Sequence, residues 1–174
     1  TTGFESTHWD TAQAWSGLET PGLVLMGLAL IGGGVATTAG GVKLLRVYAL
    51  YKHGIRELER LVHPSSVGGS GVFARHLRTR GAYVAWIFFM LFAMSIAVVM
   101  LALSLTGLNF DQTTVLTIAA LSNTGPLAGI AESVPISYAT LNDAAKWILT
   151  ASMVLGRLET LVIIALLNPE FWRN

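Results

Sequence analysis

The sequence predicts an all-α membrane protein whose unit is helix, short helix, polar turn, helix. Three observations carry this. The chain is 53% hydrophobic and only 12% charged, with a mean hydropathy of +0.60, whereas a soluble domain carries about 25% charged residues. Ala82 to Leu105 contains no charged residue and exceeds the roughly 20 residues a helix needs to cross a bilayer. Two other apolar stretches, Gly22–Ile31 and Gln112–Leu121, are too short to cross and run into turns of Gly, Thr, Ser and Asn.

Taken in order, Thr1 to Pro21 carries Glu5, Asp10 and Glu19 but no Lys or Arg. Trp9 and Trp15 suit the headgroup level, where amphipathic rings concentrate. Pro21 suits the first turn of a helix. Gly22 to Ile31 is helical and ends in Gly32-Gly33-Gly34, followed by Val35-Ala36 and Thr37-Thr38-Ala39-Gly40-Gly41. Gly22 to Gly34 covers about 20 Å at helical rise, short of the ~30 Å hydrocarbon layer. The glycines therefore sit at membrane depth. Either they let a neighbouring helix approach closely, or the helix breaks here and the break lines a cavity. The density of Gly and Thr favours the break. The second half resumes at Val42 and carries Lys43 and Arg46.

Leu45 to Leu61 reads as a helix leaving the membrane, with Lys52, Arg56, Glu57, Glu59 and Arg60 on a solvated or partner-facing surface. Pro64 to Gly71 is a turn-rich linker. Phe73 to Arg80 supplies Arg75, Arg78 and Arg80, and Gly81 to Thr106 is the spanning helix. Asn109 or Asp111 is placed to cap the short helix that follows. Ile130 to Asn142 is a polar connector. Asp143 caps a last helix, Ala144 to Leu167, which is interrupted by Arg157 and Glu159 and stopped by Asn168-Pro169.

Charge sets the topology. Of the 11 basic residues, Lys43, Arg46, Lys52, Arg56, Arg60, Arg75, Arg78 and Arg80 cluster together, while 1–21 and 107–143 hold none. By the positive-inside rule the cluster is cytoplasmic and the base-free stretches are outside. Asp111 to Gly129 then dips into the membrane and returns. Ser122-Asn123-Thr124-Gly125-Pro126 reads as non-helical backbone. At membrane depth such backbone survives only inside protein or beside a water-filled cavity. This is a candidate re-entrant pore loop whose carbonyls replace an ion's water shell. The alternative is a surface loop between two helices.

Thr2-Gly3 echoes Thr124-Gly125, and each leads through an acidic, base-free connector to a helix. If this is an internal repeat, Thr1, Thr2, Asn123 and Thr124 offer carbonyl oxygens to a dehydrated cation. The glycines would then permit the backbone angles that aim them. The short helix directs its negative C-terminal end at the ion. Two loops cannot encircle an ion, so the chain reads as a piece of a longer one. Arg157, in the middle of a span, must face a cavity or a partner, pair locally, or snorkel. Below a filter it would repel cations or hold the broken helix, with Gly156 admitting that segment closely.

There is no cysteine, and His8, His53, His63 and His76 show no ligand spacing. No nucleophile–base pair, metal set or nucleotide-binding glycine motif appears, so the chain is not expected to be an enzyme or to hold a covalent cofactor.

TTGF at 1–4, GGGVATTAGGVKLLR at 32–46, SNTGP at 122–126 and MVLGRLETL…LNPEFWR from 153 to 173 resemble the Trk/Ktr/HKT superfamily of potassium transporters, the bacterial Trk potassium-uptake subunits in particular. The resemblance spans essentially the whole sequence but about the C-terminal third of a family chain. It implies four helix–pore helix–filter–helix repeats around one potassium path in the bacterial inner membrane. Residues 1–60 would hold the end of the third repeat, 61–80 a cytoplasmic linker, and 81–174 the fourth repeat. Gly3 and Gly125 would be filter glycines, with Thr1, Thr2, Ser122, Asn123 and Thr124 beside them. Gly33, Gly34, Thr37, Thr38, Ala39, Gly40 and Gly41 would form an intramembrane gate loop with Arg157 near it. The resemblance also implies a homodimer bound to a cytoplasmic nucleotide- and NAD-binding regulatory ring. Thr124 stands where the family more often has Val, and Ala36-Thr37 where its gate loop often has Gly-Ser. A secondary transporter of another class, with a substrate site at the broken helix, and a non-transporting scaffold are the competing readings.

Overall fold

The computed structural model describes residues 6, 8, 9, 17, 21–34, 37, 39–62, 72–131 and 135–158, with the backbone alone at 60, 72–82 and 158. Its long helices are α1 (Pro21–Ile31), α2 (Leu44–Val62), α3 (Val72–Ser104), α4 (Phe110–Ser122) and α6 (Asp143–Leu158). A single turn, α5 (Leu127–Ile130), follows α4, and a 3-10 turn at Tyr138–Thr140 precedes α6. Thr1, Thr2, Gly3, Val35, Ala36, Thr38, the 63–71 linker, Glu132 and everything from Glu159 onward lie outside the described residues.

Helix α4 is the centre. Val115, Leu116, Thr117, Ile118, Ala119, Ala120, Leu121 and Ser122 are consecutive and all buried. A helix apolar on all sides belongs in the interior, and the sequence Val-Leu-Thr-Ile-Ala-Ala-Leu supplies that composition. One side packs with Val99 and Leu103 of α3 and Ala145 and Leu149 of α6. The other side packs with Met26 and Ala29 of α1 and with Leu127. Small residues keep the backbones close; Ala119 and Ala120 are fully buried. Close packing, rather than water exclusion, holds helices together in lipid.

Helix α1 begins at Pro21 as expected, and its Gly22 lies so close to the Ala131 backbone that any Cβ would overlap it. Its opposite face, Leu23, Val24 and Leu28, is exposed. The helix stops at Gly32, whose φ of 75° is left-handed. Helix α2 starts at Leu44, two residues later than expected, because Gly41 and Lys43 also take positive φ. Arg46 on its first turn stacks over the Phe88 ring of α3 at 3.6 Å.

Helix α3 runs 33 residues, about 50 Å at helical rise. It starts at Val72 rather than at Gly81, so 72–80 of the stretch read as linker is helical. A lone glycine costs a helix only about 1 kcal/mol, which the flanking turns offset. Its Tyr83–Ser104 portion is the one segment among the described residues long and apolar enough to cross a membrane. Asp143 is the first residue of α6, not its cap: the Lys146 N–H donates to the Asn142 carbonyl at 3.1 Å, and Asp143 instead pairs with Lys146 at 3.4 Å.

Candidate functional site: a buried helix end between a broken helix and a glycine contact

Ser122, Asn123, Thr124 and Gly125 form the turn at the C-terminal end of α4, and Gly40 packs against it. Asn109 precedes the helix as its N-cap without a side-chain capping bond, and Asp111 lies in the first turn, where an acid meets the positive dipole end. It ends in a paired cap: the Asn123 N–H donates to the Ala120 carbonyl at 3.1 Å and the Thr124 N–H to the Ala119 carbonyl at 2.9 Å. This pattern needs a left-handed residue, usually Gly and sometimes Asn. Asn123 fills it at φ 56°. Gly125 has an ordinary negative-φ backbone, so the expectation that this glycine supplies the special angle is corrected to Asn123.

Asn123 Nδ2 also donates to the Met153 carbonyl of α6 at 3.3 Å, tying the turn to a second helix. Ser122 Oγ donates to the Ile118 carbonyl at 2.6 Å, and the Ser122 and Thr124 hydroxyl oxygens lie 3.1 Å apart. The turn is non-helical at Asn123, as expected, and tight. The Thr124 carbonyl accepts the Leu127 N–H at 3.1 Å, and the Gly125 carbonyl accepts the Ala128 N–H at 3.3 Å. Thr124 and Gly125 therefore do not present bare carbonyls, although each oxygen keeps a second lone pair. Among the described residues nothing donates to the Asn123 carbonyl. The Tyr138 hydroxyl donates to the Gly125 carbonyl at 3.2 Å. Burial pushes the Tyr138 phenol above its ordinary value of 10.0, so it stays a donor at neutral pH.

The break after α1 is a closed loop. The Val42 N–H donates to the Leu30 carbonyl at 3.0 Å and the Leu44 N–H to the Gly33 carbonyl at 3.1 Å. Thr37 folds inward, its N–H and hydroxyl both on the Gly34 carbonyl at 3.2 and 2.7 Å. A Cβ on Gly33 would lie 2.5 Å from Thr37 Oγ1. Thr37 is exposed, whereas Ala39 and Gly40 are buried. Of the two sequence readings of these glycines, the broken helix is the one present, and close approach holds too: Gly40 lies against the Leu121–Ser122 backbone of α4.

Arg157 is exposed in the last turn of α6 and has no hydrogen bond or ion pair among the described residues. Its neighbour Gly156 presses on the Leu121 carbonyl of α4, rather than on the broken segment as expected. A narrow cavity is shared by Gly41, Lys43, Arg46, Leu121 and Gly156, so the outgoing end of the loop and α6 face one space. Sequence reasoning passed over Tyr138 and the capping role of Asn123. An Asn directly after an apolar helix was the available signal for the cap; nothing short-range marked Tyr138.

A buried short helix, an uncharged polar turn at its end and a closed loop where a neighbouring helix breaks mark an all-α membrane protein. The chain belongs to the TrkH family of cation transport proteins, whose family model matches residues 1–172. As a member of that family it is not an enzyme. It is 40% identical over 152 residues to the Trk system potassium uptake protein TrkH of Salmonella typhimurium, covering 87% of this chain and 31% of that protein. It is 36% identical over 177 residues to the Trk system potassium uptake protein TrkI of Halomonas elongata, covering 100% and 34%. The crystal structure of the potassium transporter TrkH from Vibrio parahaemolyticus superposes with a TM-score of 0.72 at 36% identity, covering 87% of this chain and 32% of that one. The chain spans about a third of the length of the relatives it matches.

Proposed function

We propose that this chain forms part of the pore-forming subunit of a potassium-uptake system. The observation that carries this reading is the buried α4 delivering its negative end to an uncharged turn beside the closed loop after α1. The helix end lowers the energy of a nearby cation. The Asn123 carbonyl and the second lone pair of the Thr124 carbonyl replace part of the ion's water shell, with Ser122 and Gly125 supporting the turn. Among the described residues no carboxylate bonds to this turn, so the ion is held weakly enough to leave. Thr1, Thr2 and Gly3 would supply the matching loop from the preceding repeat. Loop residues Gly33, Gly34, Thr37, Thr38, Ala39, Gly40 and Gly41, with Arg157, would gate the path.

On this reading residues 1–60 close the third repeat, 61–80 lie in the cytoplasm and 81–174 make the fourth. The rest of the polypeptide completes the ring, in a multi-pass inner-membrane protein. The resemblance supports a homodimer and a cytoplasmic nucleotide- and NAD-binding regulatory subunit. The test is reconstitution of the whole polypeptide in liposomes with K⁺ or Na⁺ gradients. Selective K⁺ flux is expected. A protein passing Na⁺ and K⁺ equally, or neither, would sink the proposal.

A further inference from the structure

Two glycines from different parts of the chain touch the same peptide. A Cβ built on Gly40, in the loop after α1, lies 2.5 Å from the Leu121 carbonyl oxygen, 2.7 Å from the Ser122 carbonyl carbon and 2.8 Å from Ser122 Cα. A Cβ built on Gly156, in α6, overlaps the Leu121 carbonyl oxygen and lies 2.8 Å from its carbon and 3.0 Å from Asn123 Nδ2. All but Asn123 Nδ2 are backbone atoms, which cannot swing aside as a side-chain tip can. Gly27, Gly54 and Gly125 meet nothing within 4 Å, while Gly40 and Gly156 are the two glycines that close on the Leu121–Ser122 peptide. Neither Gly40 nor Gly156 has the left-handed φ that would explain the residue type by itself.

We infer that Gly40 and Gly156 are positioning residues that hold the Leu121–Ser122 peptide between them, so that displacing the loop changes the shape of the turn at Asn123–Gly125. This rests on the proposed filter and gate. The peptide they hold immediately precedes Asn123, whose left-handed angle aims the rest of the turn. The α6 side is doubly fixed, because Asn123 Nδ2 also bonds Met153. Among the described residues no hydrogen bond from the loop reaches this turn, and Gly40 makes contact with the peptide. Contact energy falls steeply with a gap of an ångström or less. A loop that withdraws therefore frees one side of the peptide while the other stays held. Opening the gate and altering ion discrimination become a single event.

The experiment uses the whole polypeptide in liposomes and reads two quantities, total K⁺ flux and the K⁺/Na⁺ permeability ratio. Gly40→Ala and Gly156→Ala are each expected to lower the ratio about tenfold, within the usual range of coupling between two sites, while Gly40→Ala also changes flux. Gly27→Ala, which adds the same methyl in open space, is expected to change neither. Should Gly40→Ala not accumulate in the membrane, Thr37→Ala loosens the loop by deleting atoms, and it is expected to move flux and ratio together. A loop variant that shifts flux while the ratio stays at the wild-type value overturns the inference, as does an unchanged ratio in both glycine variants. A wild-type protein that fails to select K⁺ removes the functional reading itself, a result separate from either of these.

Discussion

The Tyr138 hydroxyl, on the connector before α6, donates to the carbonyl of Gly125 at 3.2 Å. A residue thirteen positions downstream thus fixes the orientation of the peptide that leaves the polar turn. Removing the hydroxyl in Tyr138→Phe deletes one hydrogen bond worth about 1 kcal/mol and leaves the packed ring. Reduced K⁺/Na⁺ discrimination with retained membrane accumulation is the expected outcome, read by ion flux in liposomes. Unaltered discrimination would assign Tyr138 to packing alone.

The same phenol makes a pH prediction. Its pKa is raised in the folded protein by burial, so the folded state favours the protonated form. That contribution is fully present below the unfolded value of about 10 and is lost as pH rises through the raised folded value. Flux measured between about pH 6 and 9, well below that value, is therefore expected to show no titration from Tyr138. The profile of Tyr138→Phe should parallel that of the wild type over this range; a divergence there would contradict the direction of the shift.

Asn123 separates two roles that a single substitution would blur. Asn123→Gly keeps the left-handed angle and loses the bond to Met153. Asn123→Ala loses that bond and adds a left-handed strain of about 1–2 kcal/mol. Thermal inactivation in detergent is expected to rank wild type above Gly and Gly above Ala. Equal inactivation temperatures for the two variants would remove the cap from the account.

Gly125→Asp introduces a carboxylate where a Cβ meets nothing within 4 Å, so the fold should tolerate it. A fixed negative charge in a poorly screened site binds a cation strongly. Loss of K⁺ selectivity, or of growth on low K⁺ in an uptake-deficient bacterium, is expected from the whole protein. Wild-type permeability ratios would count against placing the filter here.

Arg157→Gln tests the gate. The side chain is exposed in the described structure, and surface substitutions usually stay within about 0.5 kcal/mol. Thermal stability should be near wild type, while single-channel recording of the whole protein should show a changed open probability. A large loss of stability with unchanged opening would make Arg157 structural.

The membrane class and the broken helix could be read from Gly22 to Gly41, because two short-range facts sufficed: too few apolar residues to cross, then glycines. The short helix at α4 was equally readable from its uncharged run and from the polar turn after it. Two boundaries moved. Lys43 takes a left-handed angle that no residue-type rule assigns to lysine, and α3 continues through Gly81 because neighbouring turns offset one glycine. The contacts that organise the site, Gly40 and Gly156 on Leu121 and Tyr138 on Gly125, join residues far apart in sequence. Periodicity and propensity carry no information about such pairs. Glycine 125 drew attention by its residue type, while the angle was supplied two residues earlier by Asn123.

The bonds from Val42 to Leu30 and from Leu44 to Gly33 have a practical outcome. They make the excursion after α1 a detour with a sealed neck, which fixes the end of α1 relative to the start of α2. Grafting a reporter group at exposed Thr37 would therefore sample local rearrangement while leaving the scaffold's alignment intact.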